Sequence, residues 1–260
     1  MKKKIFLFFA AFIIGIFLPE KVALAGRGEM GRLIQTTTLK EDYQALVYLG
    51  LTNTAVLEEK DGEQAYKNVL CSAVRIQVNG HYGSGSIYRM TEEEIIIVTN
   101  RHVLQYFNED SYVTFFDGRV GSGSLLGVSK EADVGFISIP LSGFTYEELL
   151  QLRNVRKQEE AYENLKESTR FFMIDMASDV SAPVQHEGTV LHNRQFLADF
   201  GMEMLYGDAY AIPGMSGCGI FDYYGNYVGM LSGGTLQNEI AAVPLDVIER
   251  EYEKIKNQFT

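Results

Sequence analysis

The pattern of apolar and polar positions changes character at Cys71. Upstream, residues 43–51 and 63–70 carry apolar side chains at helical spacing on either side of Lys60-Asp61-Gly62, which predicts two helices joined by a turn. Downstream, the apolar positions gather into short β-rich runs, SAVRIQV, GSGSIY, EIIIVT, SYVTFF and VGFISI, broken at Asn79-Gly80, Gly83, Asp117-Gly118 and Gly121. A charged stretch over residues 145–168, TYEELLQLRNVRKQEEAYENLKES, predicts a helical linker, and strands resume at RFFMIDM, EGTVLHNRQF, CGIFDYY and NYVGML. From Leu245 to Phe259, Val247, Tyr252 and Ile255 recur among charges, predicting an amphipathic helix packed on the second β unit. Many short strands with frequent turn signals predict an all-β barrel or sandwich. The expected division is a helical extension or propeptide over 26–70, a first β unit over 71–140, a linker over 141–169 and a second β unit with its helix over 170–260.

The first residues follow a different rule. Lys2-Lys3-Lys4, an apolar run from Ile5 to Leu18, and small residues at Ala23 and Ala25 have the layout of a secretory signal peptide over residues 1–25. The run is short for a bilayer span of roughly 20 residues, so cleavage after Ala25 is expected rather than stable membrane insertion, with membrane association the alternative where the leader is retained. The remaining chain is expected to be secreted and soluble.

Charge and cysteine content narrow the function classes. The formal net charge is -11, and it becomes more negative once the leader lysines are removed. That argues against nucleic acid or anionic lipid as the main partner. The two cysteines, Cys71 and Cys218, cannot form a disulfide framework, although one bridge is chemically open to an exported chain. They also lack the neighbours of a zinc site.

The segment Ile212-Pro213-Gly214-Met215-Ser216-Gly217-Cys218-Gly219 crowds glycines around a serine just before a β-like run. A serine hydroxyl attacks a carbonyl only when a base takes its proton. The oxyanion formed then needs backbone N–H donors, which glycines allow the chain to aim. Gly214 and Ser216 are the candidate oxyanion donors. A Gly-Ser-Gly loop alone is common and inert, so the reading depends on partners.

Four histidines could supply the base. His102 ends the apolar run in Val98-Thr99-Asn100-Arg101-His102-Val103, at a strand terminus where catalytic groups are commonly positioned. His81 follows an Asn79-Gly80 turn and reads as solvated, and His186 and His192 flank a strand-like run and read as surface or structural. The third group, an acid that holds the imidazole tautomer, is Asp133 in Glu131-Ala132-Asp133-Val134-Gly135-Phe136, at the head of an otherwise apolar strand. Glu131 and Asp117 are weaker competitors. The order His, Asp, Ser is that of chymotrypsin-like enzymes, and no histidine follows Ser216, which excludes the α/β-hydrolase order. Cys218 also stands where the GxSxG elbow needs glycine. A subtilisin order could be forced with Asp42 or Asp61, but strand-rich flanks do not suit a parallel α/β sheet.

On TNRHV, EADVGFISI, GMSGCGIFD and Gly225-Asn226-Tyr227-Val228-Gly229-Met230, residues 71 to 245 resemble the trypsin-like peptidase superfamily. The stretch YAIPGMSGCGIFDYYGNYVGM looks most like the glutamyl endopeptidase and exfoliative toxin branch of bacterial secreted members. The resemblance implies two packed six-stranded antiparallel β-barrels and a serine endopeptidase that acts on protein or peptide through an acyl-enzyme and needs no cofactor. It implies an S1 pocket with Tyr210 and Ala211 at its far end and Leu231, Ser232 and Gly233 along one wall. Met215 stands where animal trypsins carry the aspartate that pairs with a new N-terminus. Tyr210 is not the aspartate that selects Lys or Arg, and Leu231 stands near the position of the glutamyl branch's pocket histidine, so a small or apolar P1 residue is expected. The toxin branch also implies an alternative, a secreted binding module or toxin with a latent or highly selective site.

Overall fold

A computed structural model describes residues 37–258, and the expected leader lies outside them. The chain begins with α1 (Leu39–Tyr48) and α2 (Gly62–Val69). Helix α1 is started by a reciprocal Thr38–Glu41 capping box and α2 by the Asp61 side chain accepting from Gln64 N–H. Helix α2 matches the expected stretch over 63–70, while α1 begins and ends earlier than the expected 43–51 because its capping box starts it at Thr38. They are not loose appendages, because Tyr43, Ala65 and Val69 are buried as fully as core strand residues.

Seven strands then form one sheet: β1 (Ala73–Val78), β2 (His81–Met90), β3 (Glu94–Thr99), β4 (Tyr112–Phe115), β5 (Val120–Gly121), β6 (Ser124–Val128) and β7 (Gly135–Pro140). Their order is β5-β4-β1-β2-β3-β7-β6. The β1–β2 hairpin turns through Asn79 and Gly80, both at positive φ, as a two-residue primed turn requires. Strand β3 explains its unbroken apolar run. Ile95 and Ile97 face one core, while Ile96 and Val98 face the other, so both of its sides are buried.

The second unit is a closed barrel of β8 (Arg170–Asp175), β9 (Val184–Leu197), β10 (Met202–Ala209), β11 (Gly219–Asp222), β12 (Tyr227–Gly234) and β13 (Glu239–Pro244), in the order β10-β13-β12-β11-β8-β9. Six strands close here, as the double-barrel resemblance implies. The first unit differs in detail, with seven strands and a sheet that stays open, a half-barrel. Strand β5 is only two residues long, and β6 is tucked under the C-terminal helix, where a Cβ on Gly127 would meet the Ile255 side chain at 2.7 Å.

The expected helical linker is broken into α3 (Tyr146–Leu149) and α4 (Glu159–Glu163). Between them the chain is held extended. Asn154 N–H donates to Thr52 O, Val155 N–H to Ile87 O, and Tyr227 N–H to Arg156 O, and these tertiary bonds override the local helix preference. Helix α5 (Leu245–Lys256) packs on both units rather than on the second alone: the Tyr252 ring lies 4.8 Å from Tyr88 and 5.1 Å from Phe136, both in the first sheet. No helix among the described residues is long and apolar enough to cross a membrane.

Candidate active site

His102 sits in the turn that follows β3, and Asp133 in the loop that leads into β7. Two bonds join them: His102 Nδ1 lies 2.8 Å from Asp133 Oδ2, and the His102 backbone N–H donates to Oδ1 at 3.0 Å. An anionic acceptor at Nδ1 favours the imidazole tautomer whose Nε2 carries the lone pair, as a general base needs. Ser232 Oγ donates to the same Oδ2 at 2.5 Å. The Asp133 carboxylate is 14 % exposed and the His102 side chain 48 %, so the acid is shielded while the ring reaches solvent. Burial pushes the Asp133 carboxyl up, but the hydrogen bonds from His102 and Ser232 outweigh it and hold the group below its ordinary value.

The loop carrying Asp133 is itself fixed. Asn100 Nδ2 donates to the Asp133 carbonyl at 3.0 Å, and the Arg101 guanidinium donates to the Ser129 and Lys130 carbonyls. Ser129 Oγ accepts from Ala132 N–H and donates to the buried Glu251 carboxylate of α5 at 2.7 Å. Burial raises Glu251, yet its bonds from Ser129, Lys254 and Arg250 keep it below the usual carboxylate range. The competing acids are committed elsewhere, Glu131 to Lys254 and Asp117 to Arg119.

Ser216 occupies the turn between β10 and β11. Met215 N–H donates to Ile212 O, Gly217 N–H to Leu231 O and Cys218 N–H to Met215 O. The N–H groups of Gly214 and Ser216 have no acceptor among the described residues, which leaves this pair free to receive an anion. The turn needs its glycines. Gly214 and Gly217 lie at φ 100 and 91, and a Cβ on Gly217 would stand 2.1 Å from the Ser84 carbonyl.

Strand β2 ties the two units together at this point. Ser84 N–H donates to Ser216 O at 2.8 Å, Ser84 Oγ donates to Gly214 O at 3.0 Å, and Thr99 Oγ1 donates to Ser84 O at 2.7 Å. His102, three residues beyond Thr99, and Ser216 are therefore held by one short chain of bonds. The described hydrogen bonds do not include one between Ser216 and His102, a contact that unliganded sites commonly hold long until substrate seats.

The expected pocket residues fall into two groups. Leu231 is buried, Ala211 would touch a Cβ on Gly234 at 3.1 Å, and Gly233 faces the Phe200 ring of the β9–β10 turn. Ser232, expected along the pocket wall, donates its hydroxyl to Asp133. Tyr210, expected at the far end, is 53 % exposed, with its ring 5.7 Å from that of His186. Met215 is fully buried and accepts from Ile212 N–H through its sulfur, so the aspartate position of trypsins is filled by an apolar plug.

Sequence reading passed over Ser84, Asn100 and Asp175. Asp175 is buried and accepts from the backbone of Ala177 and Ser178, fixing the loop whose Ala177 methyl lies against Gly214. Asn100 was visible as the residue two before His102, but nothing local marked Ser84 or Asp175. The remaining histidines are placed elsewhere: His81 is exposed at the start of β2, and His192 pairs with Glu167. Cys71 and Cys218 are free thiols, with no bridge between them. Burial pushes Cys71 up to about 11 and Cys218 further in the same direction. No cluster able to hold a metal ion is found among the described residues. A separate cleft of about 1010 Å³ beside Tyr223 and Tyr224 includes none of the candidate residues.

A seven-stranded half-barrel and a closed six-stranded barrel, with a His–Asp pair on one and a glycine-bounded serine on the other, define the chymotrypsin-like class. The model of the trypsin-like peptidase domain matches residues 83–230, more than half of the chain, and the chain belongs to that family. Two solved structures share the fold. The crystal structure of Rv3671c from M. tuberculosis H37Rv, in a mutant, inactive form, aligns with TM-score 0.60 and 13% identity over 78% of this chain and 97% of that one. The HtrA-type protease AlgW with tripeptide aligns with TM-score 0.65 and 18% identity over 77% of this chain, which spans 65% of AlgW. A sequence comparison with curated proteins finds no match.

Proposed function

We propose that this peptidase is a serine endopeptidase in which His102, Asp133 and Ser216 act as one unit. His102 Nε2 takes the Ser216 hydroxyl proton as Oγ attacks a peptide carbonyl, and the developing oxyanion is received by the Gly214 and Ser216 N–H groups. Collapse breaks the C–N bond, and the proton on His102 passes to the leaving amine. Water, deprotonated by the same Nε2, then releases the acyl group as a carboxylic acid and restores Ser216. Asp133 holds the ring and stabilises the imidazolium in both halves. The observation that carries the reading is the hydrogen-bonded His102–Asp133 pair, joined through Thr99 and Ser84 to a Ser216 turn whose Gly214 and Ser216 N–H groups have no acceptor among the described residues.

The finer features of the reading rest on sequence. The leader-like residues 1–25 support export, and YAIPGMSGCGIFDYY supports placement near the glutamyl endopeptidase and exfoliative toxin branch. The closeness of Ala211 to Gly234 and of Phe200 to Gly233 supports a small or apolar P1 residue. A second reading, a gated or highly selective site, is favoured by Ala177 of the 176–183 loop, which presses on Gly214 and couples that loop to the oxyanion donors. A peptide library separates the two. Broad cleavage that disappears in Ser216→Ala fits a general endopeptidase, and cleavage confined to a few sequences fits the selective one. Cleavage undiminished in Ser216→Ala would refute both.

A further inference from the structure

The surface beside the nucleophile on the side away from the S1 wall carries a cationic shelf. Strand β1 places Arg75 directly opposite Ser84, the residue whose hydroxyl bonds Gly214 O, so Arg75 projects from the sheet face that meets the oxyanion turn. Tyr82, two residues before Ser84 and on the same face, is 47 % exposed, and the Arg75 guanidinium carbon lies 3.5 Å from its ring centroid. Stacking fixes the plane of the guanidinium and leaves its edge open. No carboxylate lies within ion-pair distance of Arg75 among the described residues, and its buried Nε has no hydrogen-bond partner. Asp179, an acid that feels its charge, already accepts from Ser181 N–H and Oγ.

The direction of a bound chain follows from the same bonds. The Ser216 turn lies between β12, joined through Gly217 N–H to Leu231 O, and β2, joined through Ser84 N–H to Ser216 O. A peptide with its P1 side chain against Leu231 and Gly233 leaves the nucleophile toward β2. Strand β2 pairs with β3 only from Ser86 onward, so its edge at residues 82–83 is not covered by that strand.

We propose that Arg75, stacked on Tyr82, forms a leaving-group-side subsite that selects substrates with a carboxylate side chain within the first three residues after the scissile bond. This deepens the peptidase reading and rests on it. A hydrogen-bonded charge pair of this kind gives a preference of about tenfold or more.

Quenched peptides carrying Glu or Gln at each of these three positions test it, both as substrates of the full chain and as ligands of Ser216→Ala. Expected is a Glu preference in kcat/KM of about tenfold at one position, falling to near unity in Arg75→Gln and inverting in Arg75→Glu. Asp179→Asn should enlarge it. Hydrolysis with no Glu preference at any position overturns the subsite and leaves the peptidase reading standing. Glu-selective binding to Ser216→Ala, lost in the Arg75→Gln double variant, with no hydrolysis by the parent chain, supports the subsite and overturns the peptidase reading instead.

Discussion

The two β units reach stability by different routes, and the difference governs how the site is assembled. The second unit closes its sheet, so every strand has two hydrogen-bonded neighbours and no edge remains. The first stays open and fills its core from outside: Tyr43 of α1, Leu149 of α3 and Leu152 all join the cluster around Ile76, Ile97 and Phe115. The open unit carries His102 and Asp133 in loops at strand ends, while the closed unit carries the Ser216 turn. Ser84, Asn100 and Ser232 are among the polar residues that bond the two together near the candidate residues. The candidate residues therefore lie along the seam, and Tyr43, Ala65 and Val69 of the N-terminal helices are buried in the cores.

The largest effect should come from the acid. Asp133→Asn keeps the shape of the pair but loses the anion that sets the His102 tautomer, and kcat/KM of the peptide-cleaving chain should fall by about 10⁴-fold. A loss of less than tenfold would mean that His102 does not depend on Asp133. Tyr43→Ala should cost about 3 to 5 kcal/mol, because it empties a site at the heart of the open unit and removes the bond from the Tyr43 hydroxyl to Thr91 O. Amide exchange should then show β1–β3 losing protection before β8–β13; equal loss throughout would mean that the units fold as one.

Ser232→Ala asks whether the seam tunes the chemistry. It should lower kcat/KM by about tenfold and move the acid limb of the pH profile upward, since the lost bond was one that kept Asp133 ionised. A purely structural role would lower activity without moving that limb. Stability has a matching acid dependence. Asp133 and Glu251 are both depressed in the folded chain, so their contribution is present above the unfolded carboxylate range near about 4 and is lost as pH falls through their folded values. Acid titration of the melting temperature reads this, and Glu251→Gln should flatten part of the slope. The smallest effect concerns the thiols: at pH 8 neither Cys71 nor Cys218 of the folded chain should take up iodoacetamide within minutes, whereas both should react in denaturant.

Much of this was legible in the residues. EIIIVT announced an apolar strand, although only the structure shows that both of its sides are buried, and the flanks of His102, Asp133 and Ser216 carried the order that fixes the fold class. The charged stretch over 145–168 does carry two helices, but the extended piece between them depends on bonds to Thr52, Ile87 and Tyr227, which local composition does not reveal. The Ser232 bond to Asp133 was not legible, because the two lie 99 residues apart. Tyr210 is expected at a pocket end by pattern alone, and its ring lies 5.7 Å from that of His186 on β9, a neighbour that pattern does not reveal. Periodicity and motifs report what a segment does to itself, and the seam is built from contacts between segments.

The central claim is that Ser216 is a nucleophile activated by His102 across the seam. A biotinylated fluorophosphonate applied to the folded chain, followed by peptide mapping, tests it most directly. The account predicts a single adduct on Ser216, absent in Ser216→Ala and strongly slowed in His102→Ala. An adduct on another residue, or labelling of Ser216 that is indifferent to His102, would contradict it.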